Sequence, residues 1–412
     1  MSAPQHRPAT TKQRGAALLV MLVIVVMGIA AALINSLSTT VLKTARQETT
    51  AAALAQAKDA LIGYAITYGD THTAPPQAHG YLPCPDTVND GSANTNQSNT
   101  QCAVKNIPVV GRLPWRSLKL PPLRDGHGEC LWYAVSGTFK AVAGGYINNL
   151  MNWDAVGQFT IQDANGTTLA GATAYDRPVA AIFSAGAPLD TQSHPLGSVQ
   201  ECSGDNSNSV TAYLEGDNAF TPPASPPESP IALVMGSPGS ATNNDIVLWI
   251  TPGDIFEHIK KRNDFSNQIS NLLDDNDFRL QVEPGHPETV AVSGMGAKGT
   301  DNINCGAITN TANRAFCNNW KEMLLLTQLP EPSPITLDGA PTAACTRVLI
   351  FGGQRTAVQV RLTGGDKTDP ANYLEGANLT AFATPTATSG NFSGASTFDA
   401  NNPGADLPRC LP

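Results

Sequence analysis

Between Ala16 and Ile34 the chain runs for nineteen residues without a charge (AALLVMLVIVVMGIAAALI), directly behind a short basic stretch and Gly15. At about 1.5 Å of helical rise per residue, such a run nearly spans the ~30 Å hydrocarbon core of a bilayer. A single-pass membrane helix is the direct reading. Arg7, Lys12 and Arg14 precede it, and no Asp or Glu occurs before Glu48. By the positive-inside rule the N-terminus stays cytoplasmic and the remaining chain is exported.

The helical pattern does not stop at the end of the apolar run. From Asn35 to Tyr68 there is no proline, and the one glycine is Gly63. Leu54, Ala57, Leu61, Tyr64, Ala65 and Tyr68 recur at three- and four-residue steps, which places them on one helical face. The spacing predicts one rod from Ala16 to Tyr68, about 53 residues and roughly 80 Å long, apolar all round in its first half and one-sided in its second. A cleaved signal peptide, with Leu18 to Ile29 as its core and Ala30-Ala31-Ala32 as its cleavage site, needs no such continuation. A plain signal anchor is a further alternative.

Gln13-Arg14-Gly15 followed by Ala16-Ala17-Leu18-Leu19-Val20 resembles the leader junction of type IV pilins and type II secretion pseudopilins. The resemblance implies a basic leader, residues 1–15, cut between Gly15 and Ala16 by a prepilin peptidase, with methylation of the new amine. It implies a rod, residues 16–68, that assembles with other pilin or pseudopilin subunits and carries Val20, Leu54, Leu61 and Tyr64. The location implied is the inner membrane with a periplasmic head, or the cell exterior for a subunit built into a pilus. Most pilins place a glutamate fifth after the cleavage point; here that residue is Val20. A carboxylate at bilayer depth costs roughly 2.5–3.5 kcal/mol, so its absence eases insertion and removes an assembly contact. In this the chain resembles the large, tip-located minor members. The fold class expected is α+β: a long pilin-type helix followed by a large β-rich, loop-rich, disulfide-containing head.

Composition agrees with an exported head. Charged residues are only 14 % of the chain, while Gly numbers 36 and Pro 31, which suits loop-rich β structure better than a helical cytosolic enzyme. All eight cysteines, at Cys84, Cys102, Cys130, Cys202, Cys305, Cys317, Cys345 and Cys410, lie beyond the rod. An even count in an exported region predicts disulfides. About a hundred connectivities are open, and the sequence neighbours Cys84–Cys102 and Cys305–Cys317 are the simplest pairs. Loss of residues 1–15 removes three positive charges and takes the net charge from −9 to −12, a sign that disfavours nucleic acid as a partner.

The head repeats itself. Arg177-Pro-Val-Ala-Ala-Ile-Phe-Ser-Ala-Gly186 is followed by Tyr213-Leu-Glu-Gly-Asp-Asn218, and Arg347-Val-Leu-Ile-Phe-Gly-Gly353 by Tyr373-Leu-Glu-Gly-Ala-Asn378. The turn comes 30 residues after Phe183 in one copy and 22 after Phe351 in the other. This predicts a duplicated strand–loop–turn unit in two head regions, 69–220 and 233–412, with a Pro-rich linker or loop at 221–232. Gly80-Tyr-Leu-Pro-Cys-Pro-Asp86, Val110-Gly-Arg-Leu-Pro-Trp115, Gly128-Glu-Cys-Leu-Trp-Tyr-Ala-Val135 and Asn244-Asp-Ile-Val-Leu-Trp-Ile-Thr251 are similar to segments of large prepilin-like proteins of Gram-negative bacteria. Their alternating aromatic and branched residues read as strands. Pro252 to Leu273 is the one good helix candidate of the head.

Residues that carry chemistry are sparse. Gly294-Met-Gly296-Ala-Lys-Gly299 matches G-x-G-x-x-G, but Thr300-Asp-Asn-Ile-Asn-Cys does not open the helix a dinucleotide site requires. No two of the seven histidines stand three or four residues apart, and no G-x-S-x-G occurs. His127, between Asp125 and Glu129, reads as part of a turn. Asp86-Thr-Val-Asn-Asp90-Gly91 keeps two ligand positions and the glycine of a calcium loop, but Val88 and Gln97 replace other ligands. Calcium at Asp86 and Asp90 is the one cofactor expected, and no enzyme activity is. The function expected is a minor pilin or pseudopilin-like structural subunit at a filament tip. A tip adhesin or cargo-binding module is the alternative, and an exported hydrolase the third.

Overall fold

The computed structural model describes residues 14–73, 76–93, 101–142, 150–194, 202, 209–287, 289–290, 303–384 and 392–412. One helix, α1 (Arg14–Thr71), covers 58 residues, about 87 Å of rise. The expected face packs as its spacing requires: Leu54, Ala57, Leu61, Ala65 and Tyr68 are buried, and Tyr64 lies half-buried against the same core. Residues 40–49 are exposed throughout. Met21 is 73 % and Met27 60 % exposed, so the described side chains of the apolar half have no cover among the described residues. The side chains at 14–20, 23–24 and 28–39 lie outside the described residues. Among the described residues, no helix is long and apolar enough to cross a membrane.

The first head sheet combines β1 (Val109–Arg112), β2 (Trp132–Val135), β5 (Ala180–Ser184) and β7 (Ile246–Ile250), all antiparallel in the order β1-β2-β5-β7. Its strands are apolar on both faces because both are covered. Tyr133, Val135 and Ile182 join the core beneath α1, whereas Trp132, Ala134 and Phe183 face a second sheet, as period-two alternation dictates. That second sheet is β4 (Thr168–Ala170), β3 (Phe159–Asp163) and β6 (Ile231–Met235). The Pro-rich stretch 221–232 therefore does not divide the head. β6, which begins in its last two residues, and β7 beyond it pair with β3 and β5 before it, so it is a loop within one packed body.

The expected helix 252–273 is two helices, α2 (Pro252–Ile259) and α3 (Phe265–Leu273). The break falls where Arg262 turns back to Asp70 and the Ile66 carbonyl on α1. The head also holds α4 (Asn276–Val282), α5 (Thr311–Trp320), α6 (Gly364–Thr368) and α7 (Gly376–Ala383), so it is more helical than its composition suggested. A third sheet, in the order β13-β11-β8, contains β8 (Leu324–Ser333), β11 (Cys345–Phe351) and β13 (Leu407–Leu411). A small fourth one joins β9 (Thr336–Leu337), β10 (Ala340–Pro341) and β12 (Ser393–Gly394). Trp153, Phe265, Trp320 and Phe351 interlock between the helices and the third sheet. One hydrophobic core runs from α1 to β13.

Candidate functional site

Five places merit consideration as functional sites: the α1 rod, the calcium-like loop, the cluster of Asp70, His79 and Asp264, the repeated turns and a groove beside α1. On α1, Gly15, Ala16 and Val20 have helical backbone and side chains outside the described residues. Leu54 and Leu61 are buried and face the head. The point where the helix leaves the head is fixed by the 125–129 loop. Gly126 N donates to Thr50 Oγ1 at 2.9 Å, and a Cβ at residue 126 would lie 2.1 Å from the Arg46 carbonyl oxygen. Only glycine allows that approach.

All eight cysteines pair: Cys84–Cys102, Cys130–Cys202, Cys305–Cys317 and Cys345–Cys410. Each joins its neighbour in sequence order, the two simplest pairs included. Beside the first staple, Asp86 Oδ1 accepts from the backbone N–H of Val88, Asn89 and Asp90, and Oδ2 from Gly91. Three backbone donors thus converge on one oxygen of the carboxylate and one on the other. Asp90 Oδ1 accepts from Ser92 N. The loop is an aspartate-capped turn.

Asp70, His79 and Asp264 lie within metal-ligand reach of one another. Arg262 stands among them and donates to both oxygens of Asp70 and both of Asp264 at 2.9–3.0 Å. Burial and the Arg262 charge hold the His79 imidazole below its ordinary pKa. A cation, the guanidinium, already fills this place. Asp125 is likewise committed: it accepts from His127 N, Glu129 N, Ser184 Oγ and Gly186 N. His127 is exposed and the His194 ring pairs with Glu129 at 3.0 Å. The G-x-G-x-x-G stretch at 294–299 lies outside the described residues.

The repeated Tyr-Leu-Glu-Gly-x-Asn turns are equivalent in three dimensions. Gly216 and Gly376 have φ of +51° and +52°, which a side chain would strain. Asn218 Nδ2 donates to Val234 O (2.8 Å) and Asp245 Oδ2 (2.9 Å), and Asn218 Oδ1 accepts from Val234 N (2.8 Å). Asn378 Nδ2 donates to Ser393 O (2.9 Å) and Asp406 Oδ2 (3.0 Å), and Asn378 Oδ1 accepts from Ser393 N (2.9 Å). A glutamine ties each turn to the loop before it: Gln192 Nε2 donates to Glu215 Oε1 at 2.7 Å and Gln359 Nε2 to Glu375 Oε1 at 2.6 Å. Two residues beyond each glutamine, a basic group stacks on the turn tyrosine, His194 on Tyr213 and Arg361 on Tyr373. Burial, with the carboxyl of Glu215 nearby, pushes Asp245 up to about 8, and burial, with Glu375 nearby, pushes Asp406 up to about 7. The glutamines and aspartates escaped the sequence reading. One signal was available: each aspartate stands immediately before its strand, β7 or β13.

In both networks the asparagine and the aspartate are buried. A groove of about 610 Å³ does open to solvent, between α1 and the start of β7, lined by Lys43, Arg46, Leu54, Asn244, Ile246 and Leu248 among others. Compared with protein-family models, curated proteins and solved structures, the chain matches none.

Proposed function

We propose that the chain is a minor pilin or pseudopilin-like subunit, non-enzymatic, anchored in a membrane by residues 16–34 and processed between Gly15 and Ala16. One observation carries the reading: α1 packs its second half into the head and leaves the described apolar side chains of its first half bare. Burying a large aliphatic side chain is worth roughly 1.5–3 kcal/mol, so Met21, Leu22, Val25 and Val26 require cover from a bilayer or from neighbouring rods. Four disulfides support an oxidising, exported setting for the head. Val20 in place of an acid supports a terminal, scarce subunit over a repeating one.

N-terminal sequencing of the membrane-bound form tests the anchor and its processing together. The expected first residue is Ala16, with a methylated amine. A start near Leu33 overturns the reading and leaves a released protein. Tip placement has its own test: with the head labelled, sheared filaments should carry at most one label at an end, and labels along the shaft contradict it.

A further inference from the structure

The first and third sheets each end in the strand that follows the repeated turn, β7 in one and β13 in the other. In register Ile246 lies opposite Ser184 and Leu407 opposite Phe351, so Val247 corresponds to Pro408 and Leu248 to Arg409. An edge strand exposes unpaired N–H and C=O groups, and natural sheets blunt it with proline, charge or cover. β13 has all three. It reads Leu-Pro-Arg-Cys-Leu, is tied by Cys345–Cys410, and lies so close to β12 that a Cβ on Gly394 would sit 2.5 Å from Pro408. The far edge of the first sheet is closed as well, because Asp86 and Arg112 exchange backbone hydrogen bonds at 2.9 Å.

β7 carries neither proline nor charge, and among the described residues its cover is α1, which lies over one face. The strand reads Ile-Val-Leu-Trp-Ile and pairs with β5 alone among the described residues. Its Ile246, Val247 and Leu248 border the groove whose opposite wall is α1. Ala51 and Ala55, exposed on α1, make that wall apolar, while Lys43 and Arg46, both exposed and without an ion pair among the described residues, make its rim basic. Asn244, 6 % exposed, also lines the groove, and its Oδ1 has no hydrogen-bond partner.

We propose that the outer edge of β7 is a strand-addition site for an extended, apolar segment of a partner protein flanked by acidic residues. The segment adds to the sheet beside β7, sets alternate apolar side chains against Ala51, Ala55 and Leu248, and brings carboxylates to Lys43 and Arg46. An extended peptide supplies the N–H donors that Asn244 Oδ1 and the outward carbonyls of β7 need, which an acyl chain does not. The inference stands apart from the rod, because it uses only the head and the packed part of α1.

The test uses the full chain in detergent micelles and a short fluorescein-labelled peptide in which valine and threonine alternate between terminal aspartates. Fluorescence polarisation is expected to show saturable binding that weakens about tenfold in Val247→Pro and in Leu248→Arg, each of which imports the β13 residue at the same register. Lys43→Glu with Arg46→Glu should weaken it further at low salt than at high salt. N-methylation of alternate peptide amides should abolish binding without touching the protein's fold, which guards against a variant that fails to fold. Unchanged binding by the N-methylated peptide, or by the Leu248→Arg protein, overturns the proposal. So does self-association of the full chain that Leu248→Arg removes, since the occupant would then be a second copy.

Discussion

Two halves of the head close the same turn with the same atoms and finish it with different surfaces. At Asn218 and Asn378 the amide bridges a strand backbone and a buried aspartate with matching geometry. Around them the residues diverge. The positions flanking Gln192 are Thr191 and Ser193, whereas those flanking Gln359 are Val358 and Val360, 88 % and 41 % exposed. Polar atoms buried without partners cost more than most apolar substitutions, so the interior network tolerates little change. Edges and loop faces carry no such penalty and are where the copies have become different. The shared part is a folding device; the unshared part is where partners are to be sought.

The largest expected difference between the halves is in how pH reaches them. Asp245 and Asp406 are raised to about 8 and about 7, chiefly by burial, from an unfolded value near 3.9. In the folded state each keeps its proton where the unfolded chain has lost it. Stability from these groups is therefore fully present below about pH 4 and declines as pH rises through 7 and 8, with a limiting slope of about 1.4 kcal/mol per unit for each group. Urea melts from pH 4 to 9 should show the loss. Asp406→Asn should remove the part that ends near pH 7 and Asp245→Asn the part that ends near pH 8. Coincident curves for both variants and the parent would separate the two networks from any role in pH.

How much of this was legible depended on whether a feature leaves a repeating mark. Tyr-Leu-Glu-Gly-x-Asn did, because every residue in it is held by backbone geometry or by a buried partner in both copies. Gln192 and Gln359 did not: 21 residues separate the first from its tyrosine and 14 the second, so no fixed spacing marks them. The packed face of α1 was legible from its period, since burial of one face is what the period records. Helix α5 was not, because its sequence TANRAFCNNW is polar on the exposed side and short; its N-cap Asn310 and the i, i+4 pair Phe316 and Trp320 were its available signals. The break between α2 and α3 depends on Arg262 reaching α1, a contact 196 residues away in sequence. Such a contact has no local signature.

A second comparison is between staples. Cys130–Cys202 and Cys345–Cys410 close long loops, with separations of 72 and 65, one in each half. By the chain-entropy relation each is worth roughly 4 kcal/mol, against roughly 3 kcal/mol for Cys84–Cys102 and Cys305–Cys317, with separations of 18 and 12. Replacing each pair by serine and measuring the urea midpoint should rank the long pairs as the more destabilising and similar to each other. If one long pair proved dispensable, the half that contains it would draw its stability from the common core, and the halves would not be equivalent folding units.

The smallest of these effects is the sharpest test of equivalence. Asn218→Ala removes the partner of Val234 N and Val234 O and one of the two donors to Asp245 Oδ2, which keeps Glu215 N, and Asn378→Ala removes the partner of Ser393 N and Ser393 O and one donor to Asp406 Oδ2. Each takes the side-chain partner from a part-buried strand N–H and C=O, at about 2 kcal/mol for the set. The two losses should agree within about 1 kcal/mol, and the double variant should lose their sum, because the sites share no hydrogen-bond partner. Aspartate in place of either asparagine is expected to be worse than alanine above pH 7, since it brings a carboxylate against Asp245 or Asp406 where a donor is required. Equal stability of parent and Asn378→Ala, beside a destabilised Asn218→Ala, would mean that only the first turn is needed to close the head and that the second is an inherited copy.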